Sequence, residues 1–241
     1  MTILRADGKD LERIDAGGRN ELEAYIHDNK IEELAFIDTN VLVAGAFPEI
    51  DRGRIQMRVY LDHKFGGTPV KSWKEYVKFE RGIVNWMRNW HAMKKPVAPV
   101  ITGGVEYEFH SVCGRRRHDS MSSVKFLLDL QYSSTAFYIA LAAAGTLPED
   151  IRKEIAQYTK EGQRRDRKLL GVAYEVLGAT YAKVCVVSGD SDFNQMVKGV
   201  FSEYGEEDGR YLTFETPAEF SKRIQIPTPQ MFSEKKRRYG R

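Results

Sequence analysis

The chain has 241 residues, of which 42% are hydrophobic, so it is long enough for one sizeable core or for a core with a large insertion. The formal net charge of +3 indicates no particular partner by itself. With only two cysteines, Cys113 and Cys185, a disulfide framework is not expected. The sequence has no apolar stretch of bilayer-spanning length and no signal-peptide hydrophobic region, so we expect a cytoplasmic protein without a membrane partner.

The first part of the chain is predicted to hold one core strand between two helical segments. Residues 1–33 are charged and are predicted to form a helical extension, with a short amphipathic helix around residues 22–31. Leu34–Ile37 is an apolar run typical of a buried strand. Residues 51–95 are rich in lysine, arginine and aromatic residues and hold all three tryptophans, and Pro96 follows them directly. Because a proline ends a preceding helix, this segment is predicted to be a helical insertion.

The second part is predicted to alternate strands and helices. Val97–Ile101 is predicted to be a strand leading to Thr102, a helix N-cap. Helical patterns follow over residues 122–144 and 165–177, the latter with Gly178 as its terminating glycine. The Val184–Val187 strand, a helix from residue 192 and a strand near residues 211–214 complete a main domain of residues 34–225, and residues 226–241 form a basic tail.

Aspartates follow the two clearest predicted strands. Asp38 comes directly after Leu34–Ile37, and Asp190 and Asp192 follow Val184–Val187. Open α/β sheets bind ligands at the carboxyl ends of their strands, so these acids are expected to meet in one site. Asp192 also fits a helix capping box with a glutamine three residues later, and Asp38 fits a helix cap, so a structural role for each remains open.

Two further acids are candidates for the same site. Asp166 lies on the apolar stripe of its predicted helix, where a carboxylate is costly unless it binds a metal or pairs with a neighbouring arginine. On the helix after Thr102, Glu108 lies beside the stripe formed by Val105 and Phe109, whereas Glu106 points further away. Glu108 is therefore favoured over Glu106, without the choice being decided.

A pocket of carboxylates suits Mg²⁺ or Mn²⁺, which prefer oxygen ligands. One or two such ions can activate a water and stabilise the leaving oxygen in phosphodiester cleavage. Without a metal, carboxylates that lie close together repel one another.

Two motifs resemble the PIN-domain nucleases. Ile37-Asp38-Thr39-Asn40-Val41-Leu42 is similar to their opening motif, and Ser188-Gly189-Asp190-Ser191-Asp192-Phe193 is similar to the closing motif of their NYN branch. The segment from Val100 to Glu108 and the spacing from Gly162 to Asp166 are also similar. The resemblance implies a three-layer α/β fold with a central parallel sheet, and a ribonuclease that binds Mg²⁺ or Mn²⁺ through Asp38, Glu108, Asp166, Asp190 and Asp192. It also implies that Asn40 and Ser188 orient ligands or waters.

Basic runs near these acids are candidates for binding phosphates. They comprise Arg115, Arg116 and Arg117 in one run and Arg164, Arg165, Arg167 and Lys168 in another. Each run is equally consistent with a solvated surface. Aromatic residues of the insertion, among them Trp73, Trp86 and Trp90, lie between cations as in single-strand binders, but their helical spacing favours core packing.

The expected function is metal-dependent endonucleolytic cleavage of RNA, with DNA not excluded and the oligomeric state left open. One alternative is a nucleic-acid-binding or regulatory protein on a degenerate nuclease fold. A second is a haloacid-dehalogenase-like phosphatase, because Gly189-Asp190-Ser191 is similar to its last metal motif. That family needs an aspartate at the position of Asn40, which weighs against it.

Overall fold

The computed structural model describes residues 2–6, 11–15, 24, 26–50, 77–90, 96–113, 137–140, 164–190, 193–197 and 212–226. Within them, the strands are Thr2–Ala6 (β1), Leu11–Asp15 (β2), Glu33–Ile37 (β3), Val97–Thr102 (β4), Phe137–Ala140 (β5), Lys183–Val187 (β6) and Leu212–Glu215 (β7). The helices are Thr39–Ile50 (α1), Lys78–Arg88 (α2), Gly103–Cys113 (α3), Arg164–Ala179 (α4) and Pro217–Arg223 (α5). Residues 193–197 are also helical.

The strands form one sheet in the order β2-β1-β5-β4-β3-β6-β7. Strand β3 pairs in parallel with β4 and β6, and the parallel pairing continues to β5 on one side and β7 on the other. Every residue of β3 and β4 is buried. Because successive side chains of a strand point to opposite faces, the centre of the sheet is covered on both faces. The predicted α/β class and central parallel sheet are confirmed.

Two parts of this sheet differ from the prediction. The N-terminal extension is not only helical, because β1 and β2 pair antiparallel, with Ile3 opposite Ile14. The predicted helix over residues 122–144 is wrong at residues 137–140, which form β5 between β4 and β1. The sequence of β5, Phe-Tyr-Ile-Ala, is a short apolar run rich in strand-favouring residues, and periodicity alone does not separate such a run from a buried helix.

Helices α1 and α2 approach each other closely at Gly45. A Cβ atom at this position would lie 2.5 Å from Val84 Cγ2 and 2.7 Å from the carbonyl oxygen of Glu80. Glycine is therefore needed for the two helices to pack at this distance. Helix α2 confirms the helical prediction for this part of the insertion. Its core residues are Ile83, Val84, Trp86 and Met87.

Two of the three tryptophans belong to this core. Trp86 is 1% exposed and meets Phe220 of α5 edge to face, with ring centroids 5.4 Å apart. Trp90 is 4% exposed, and its indole N–H donates to the carbonyl of Val97 over 2.5 Å. The favoured interpretation as core packing is confirmed for both, while Trp73 lies outside the described residues.

Helix α4 leads directly into β6. The predicted terminating glycine, Gly178, is wrong because the helix continues to Ala179. The hydroxyl of Thr180, the first residue after the helix, donates to the carbonyl of Val176 in its last turn over 3.0 Å. Only residues 180–182 separate α4 from β6, and the two elements pack together, so α4 begins near the edge of the sheet where β6 ends.

Helix α5 was not predicted, and an ion-pair cluster attaches it to the sheet. Its N-terminus carries a capping box formed by Thr216 and Glu219. Near its end, Arg223 binds both carboxylate oxygens of Glu33, over 2.8 and 2.5 Å, and its Nε lies 2.6 Å from Glu215. Among the described residues, no helix has both the length and the apolar character needed to cross a bilayer.

Candidate functional site

Three neighbouring strands deliver polar residues to one edge of the sheet. Asp38 directly follows β3, Thr102 is the last residue of β4 and leads into α3, and Ser188 directly follows β6. These strands are adjacent in the sheet and parallel, so their carboxyl ends lie at the same edge. All three residues are buried. A ligand site at this edge is what the positions of Asp38 and Asp190 in the sequence predicted.

Asp38 is the centre of the hydrogen-bond network at this edge and is only 6% exposed. Its Oδ1 accepts from the backbone N–H of Thr39 over 2.6 Å. Its Oδ2 accepts from the hydroxyl of Ser188 over 2.7 Å and from the side-chain amide of Asn40. Three donors therefore converge on one carboxylate, whose ionised form only accepts hydrogen bonds.

Asn40 and Ser188 link Asp38 to the turn that carries Asp190. The amide nitrogen of Asn40 also donates to Ser188 Oγ over 2.9 Å, and its oxygen accepts from the backbone N–H of Gly189 over 3.0 Å. Ser188 Oγ accepts a further bond from the backbone N–H of Asp190 over 2.9 Å. The hydroxyl thus donates once and accepts twice, which uses its full capacity. The network fixes the 188–190 turn against the start of α1.

Glu108 reaches this network through Thr39. The hydroxyl of Thr39 donates to Glu108 Oε2 over 3.0 Å, across 69 positions of sequence. Helix α3, which carries Glu108, begins at the predicted N-cap, where Thr102 Oγ1 accepts from the backbone N–H of Val105 over 3.3 Å. The end of β4 therefore sets the position of α3, and α3 brings its glutamate to Thr39, the residue after Asp38.

The contacts also separate Glu108 from Glu106. Glu106 Oε1 lies 3.8 Å from Nε2 of His110, one turn along α3. Burial raises the pKa of Glu106, and the nearby His110 opposes that shift. Glu106 thus has a partner on its own helix, whereas Glu108 contacts the residue that follows Asp38. This geometry favours Glu108 as the glutamate of the site.

The remaining predicted site residues lie partly or wholly outside the described residues. Asp192 and the arginines at 115–117 are not among them. The backbone of Asp166 lies in the first turn of α4, near the edge of the sheet where β6 ends. The same turn holds three predicted phosphate-binding residues, here called the α4 arginines, which are Arg164, Arg165 and Arg167, and Lys168 follows them.

Two contributors to the network were not predicted. Thr39 contacts both Asp38 and Glu108, and the backbone N–H of Gly189 holds the amide of Asn40. A signal for Thr39 is present in the sequence, because it is a small polar residue between two predicted site residues at the start of a helix. The bond from Gly189 is made by the backbone and has no side-chain signature.

The chemical type of the donors at this edge suits a hard cation. The side chains that converge here offer carboxylate, hydroxyl and amide oxygens, which Mg²⁺ and Mn²⁺ prefer. Among the described residues, no group of three or more His, Cys, Asp or Glu side chains is close enough together to hold a metal ion. Asp38, Glu108 and Asp190 are among the described residues, so these three carboxylates do not form a metal site by themselves. The side chains of Asp166 and Asp192 lie outside the described residues.

In comparisons with protein families, with curated proteins and with solved structures, no match to this chain was found.

Proposed function

We propose that the chain is a PIN-like endoribonuclease that depends on Mg²⁺ or Mn²⁺. One observation carries the proposal: the hydrogen-bond network that joins Asp38, Asn40 and Ser188 and reaches Glu108 through Thr39. Asp38, Asn40 and Ser188 follow two neighbouring strands and belong to the two sequence motifs, and Glu108 lies on the helix that follows a third strand. Folding brings them together over as many as 150 positions of sequence.

The carboxylates contribute negative charge and oxygen ligands at one edge of the sheet. Asp38 and Glu108 would bind the cation, and Asp166, Asp190 and Asp192 would complete the ligand set. When bound, the ion supplies Lewis-acid stabilisation of the phosphate and a more acidic water for attack on phosphorus. Asn40 and Ser188 hold Asp38 in a single orientation, so little reorganisation is needed when the substrate arrives.

The substrate is proposed to be a nucleic acid because basic residues accompany the acids, and RNA in particular because the motifs resemble those of PIN-domain ribonucleases. The α4 arginines begin the helix that starts near the acidic edge. The positive charge of these arginines, when they bind phosphates, would offset the repulsion between the polyanion and the carboxylates. The arginines at 115–117 follow α3 in the sequence and are the second run proposed to bind phosphates.

A nucleic-acid-binding protein without cleavage is the second candidate. One observation favours it: three protein donors bind the Asp38 carboxylate, as they would bind a purely structural carboxylate. The phosphatase is not favoured, because Asn40 donates to Asp38 where that family would need a second carboxylate.

The test is a cleavage assay on labelled single-stranded RNA and on DNA of the same sequence, with Mg²⁺, Mn²⁺ or a chelator. The proposal expects RNA cleavage with metal, none in chelator, and a loss of several orders of magnitude in Asp190→Asn. RNA binding without cleavage at any metal concentration would favour the second candidate. Cleavage that persists in chelator would overturn metal dependence.

A further inference from the structure

Thr39 occupies a position that joins the two acids of the described site. Its side chain is 2% exposed, although it is polar and stands at the first residue of α1. Its backbone N–H donates to Asp38 Oδ1 over 2.6 Å, and its hydroxyl donates to Glu108 Oε2 over 3.0 Å. A single residue therefore contacts a carboxylate at the end of β3 and another on α3.

The hydroxyl of Thr39 fixes the position of the Glu108 carboxylate, which the backbone of α3 alone does not determine. Glutamate has several freely rotating bonds, and Glu108 is only partly buried, so the position of its carboxylate is not set by packing alone. A donor fixed on a helix terminus holds one oxygen of the Glu108 carboxylate in place. Threonine suits this task because its β-branched side chain has few rotamers.

Because groups that hydrogen-bond to a metal-binding carboxylate set its orientation, they affect metal affinity without touching the ion. We propose that Thr39 is a positioning residue, which holds the Glu108 carboxylate beside Asp38 so that the two bind one divalent cation together. This inference rests on the proposed function for the role of that cation.

The experiment measures Mn²⁺ binding by isothermal titration calorimetry without substrate, in the wild type, Thr39→Val and Thr39→Ser. Thr39→Val keeps the size of the side chain and the N–H that binds Asp38, but it removes the hydroxyl. We expect it to weaken Mn²⁺ binding about 10–100-fold. Thr39→Ser retains the hydroxyl and should bind Mn²⁺ within about threefold of the wild type, on the scale of a minor rotamer change.

A double-mutant cycle separates positioning from a general packing effect. If Thr39 acts through Glu108, then Thr39→Val should change Mn²⁺ affinity little when Glu108→Gln is already present. If the two losses instead multiply independently, Thr39 does not act through Glu108 and the inference is overturned. Thr39→Ala provides a second variant without the hydroxyl if Thr39→Val does not fold, and thermal melts report folding for each protein.

The outcomes for Thr39 and for the nuclease are distinguishable. Unchanged Mn²⁺ binding in a folded Thr39→Val or Thr39→Ala overturns the inference and leaves the nuclease proposal standing. Weakened binding in these variants, in a protein that cleaves neither RNA nor DNA, supports the role of Thr39 and overturns the nuclease. A wild type that binds no Mn²⁺ overturns both.

Discussion

Asp38→Asn should destabilise the metal-free protein, even though it removes a negative charge from an acidic site. The carboxylate is 6% exposed and accepts from Thr39 N–H, from the Ser188 hydroxyl and from the Asn40 amide. An asparagine has one acceptor oxygen, so its NH₂ group must face either the Thr39 N–H or the Ser188 and Asn40 pair. In either orientation, at least one buried donor meets another donor.

The size of the effect follows from the number of hydrogen bonds that the substitution breaks. A hydrogen bond to a charged group contributes about 1.5–3 kcal/mol, so breaking one or two such bonds should lower the unfolding free energy by about 2–4 kcal/mol. For a chain of this size, that corresponds to a fall in melting temperature of about 5–15 °C. Urea denaturation and thermal melts in chelator measure both quantities.

The matched control is Asp190→Asn. Asp190 is partly buried, and its bond to Ser188 is made by the backbone N–H, which the substitution keeps. Its stability should stay within about 1 kcal/mol of the wild type. Mn²⁺ should raise the melting temperature of the wild type by mass action, and less so that of Asp190→Asn. If Asp38→Asn is as stable as the wild type, the three donors do not depend on the carboxylate and this reasoning is refuted.

Further consequences concern the core, the buried thiol and the basic residues. Gly45→Ala should lower the unfolding free energy by about 1–3 kcal/mol in urea, because its Cβ would lie 2.7 Å from a backbone oxygen; no loss would mean that α1 and α2 can separate at no cost. Burial, with a smaller contribution from the charge of Glu215, raises the pKa of Cys185 to about 12. In a Cys113→Ser protein at pH 8, iodoacetamide should therefore modify Cys185 only after denaturation, and labelling of the native protein would contradict its burial. Replacing the α4 arginines by alanine should flatten the slope of log affinity for single-stranded RNA against log salt by about 0.7 for each phosphate that the protein no longer neutralises, and an unchanged slope would make them surface charge only.

The parallel core could be predicted because its strands are continuous apolar runs with polar residues directly after them. Leu34–Ile37 and Val184–Val187 carry that pattern, and both are buried central strands. Strand β5 and the β1–β2 pair could not be predicted in this way. They lie on the far side of β4, where pairing with neighbours rather than the local pattern decides between strand and helix.

The site was predictable to the level of residue types at strand ends. Asp38 and its partners Asn40 and Ser188 follow strands in the sequence, which suffices to place them at one edge. The choice between Glu106 and Glu108 needed the three-dimensional position of Thr39, because helical periodicity favoured Glu108 without deciding between the two. The role of Thr39 depends on a contact across 69 positions, which no local pattern encodes.

The most direct measurement of the central claim compares two glutamate variants on one helix in the same RNA cleavage assay with Mn²⁺. Glu108→Gln removes the carboxylate that Thr39 binds and should slow cleavage by at least about 100-fold. Glu106→Gln removes a carboxylate whose raised pKa shows that burial penalises its charged form, so at pH 7.5 this variant should be as stable as the wild type or more stable. It should also cleave RNA at the wild-type rate. Equal rates for the two variants, or a slower Glu106→Gln, would contradict the assignment of this edge of the sheet as the catalytic site.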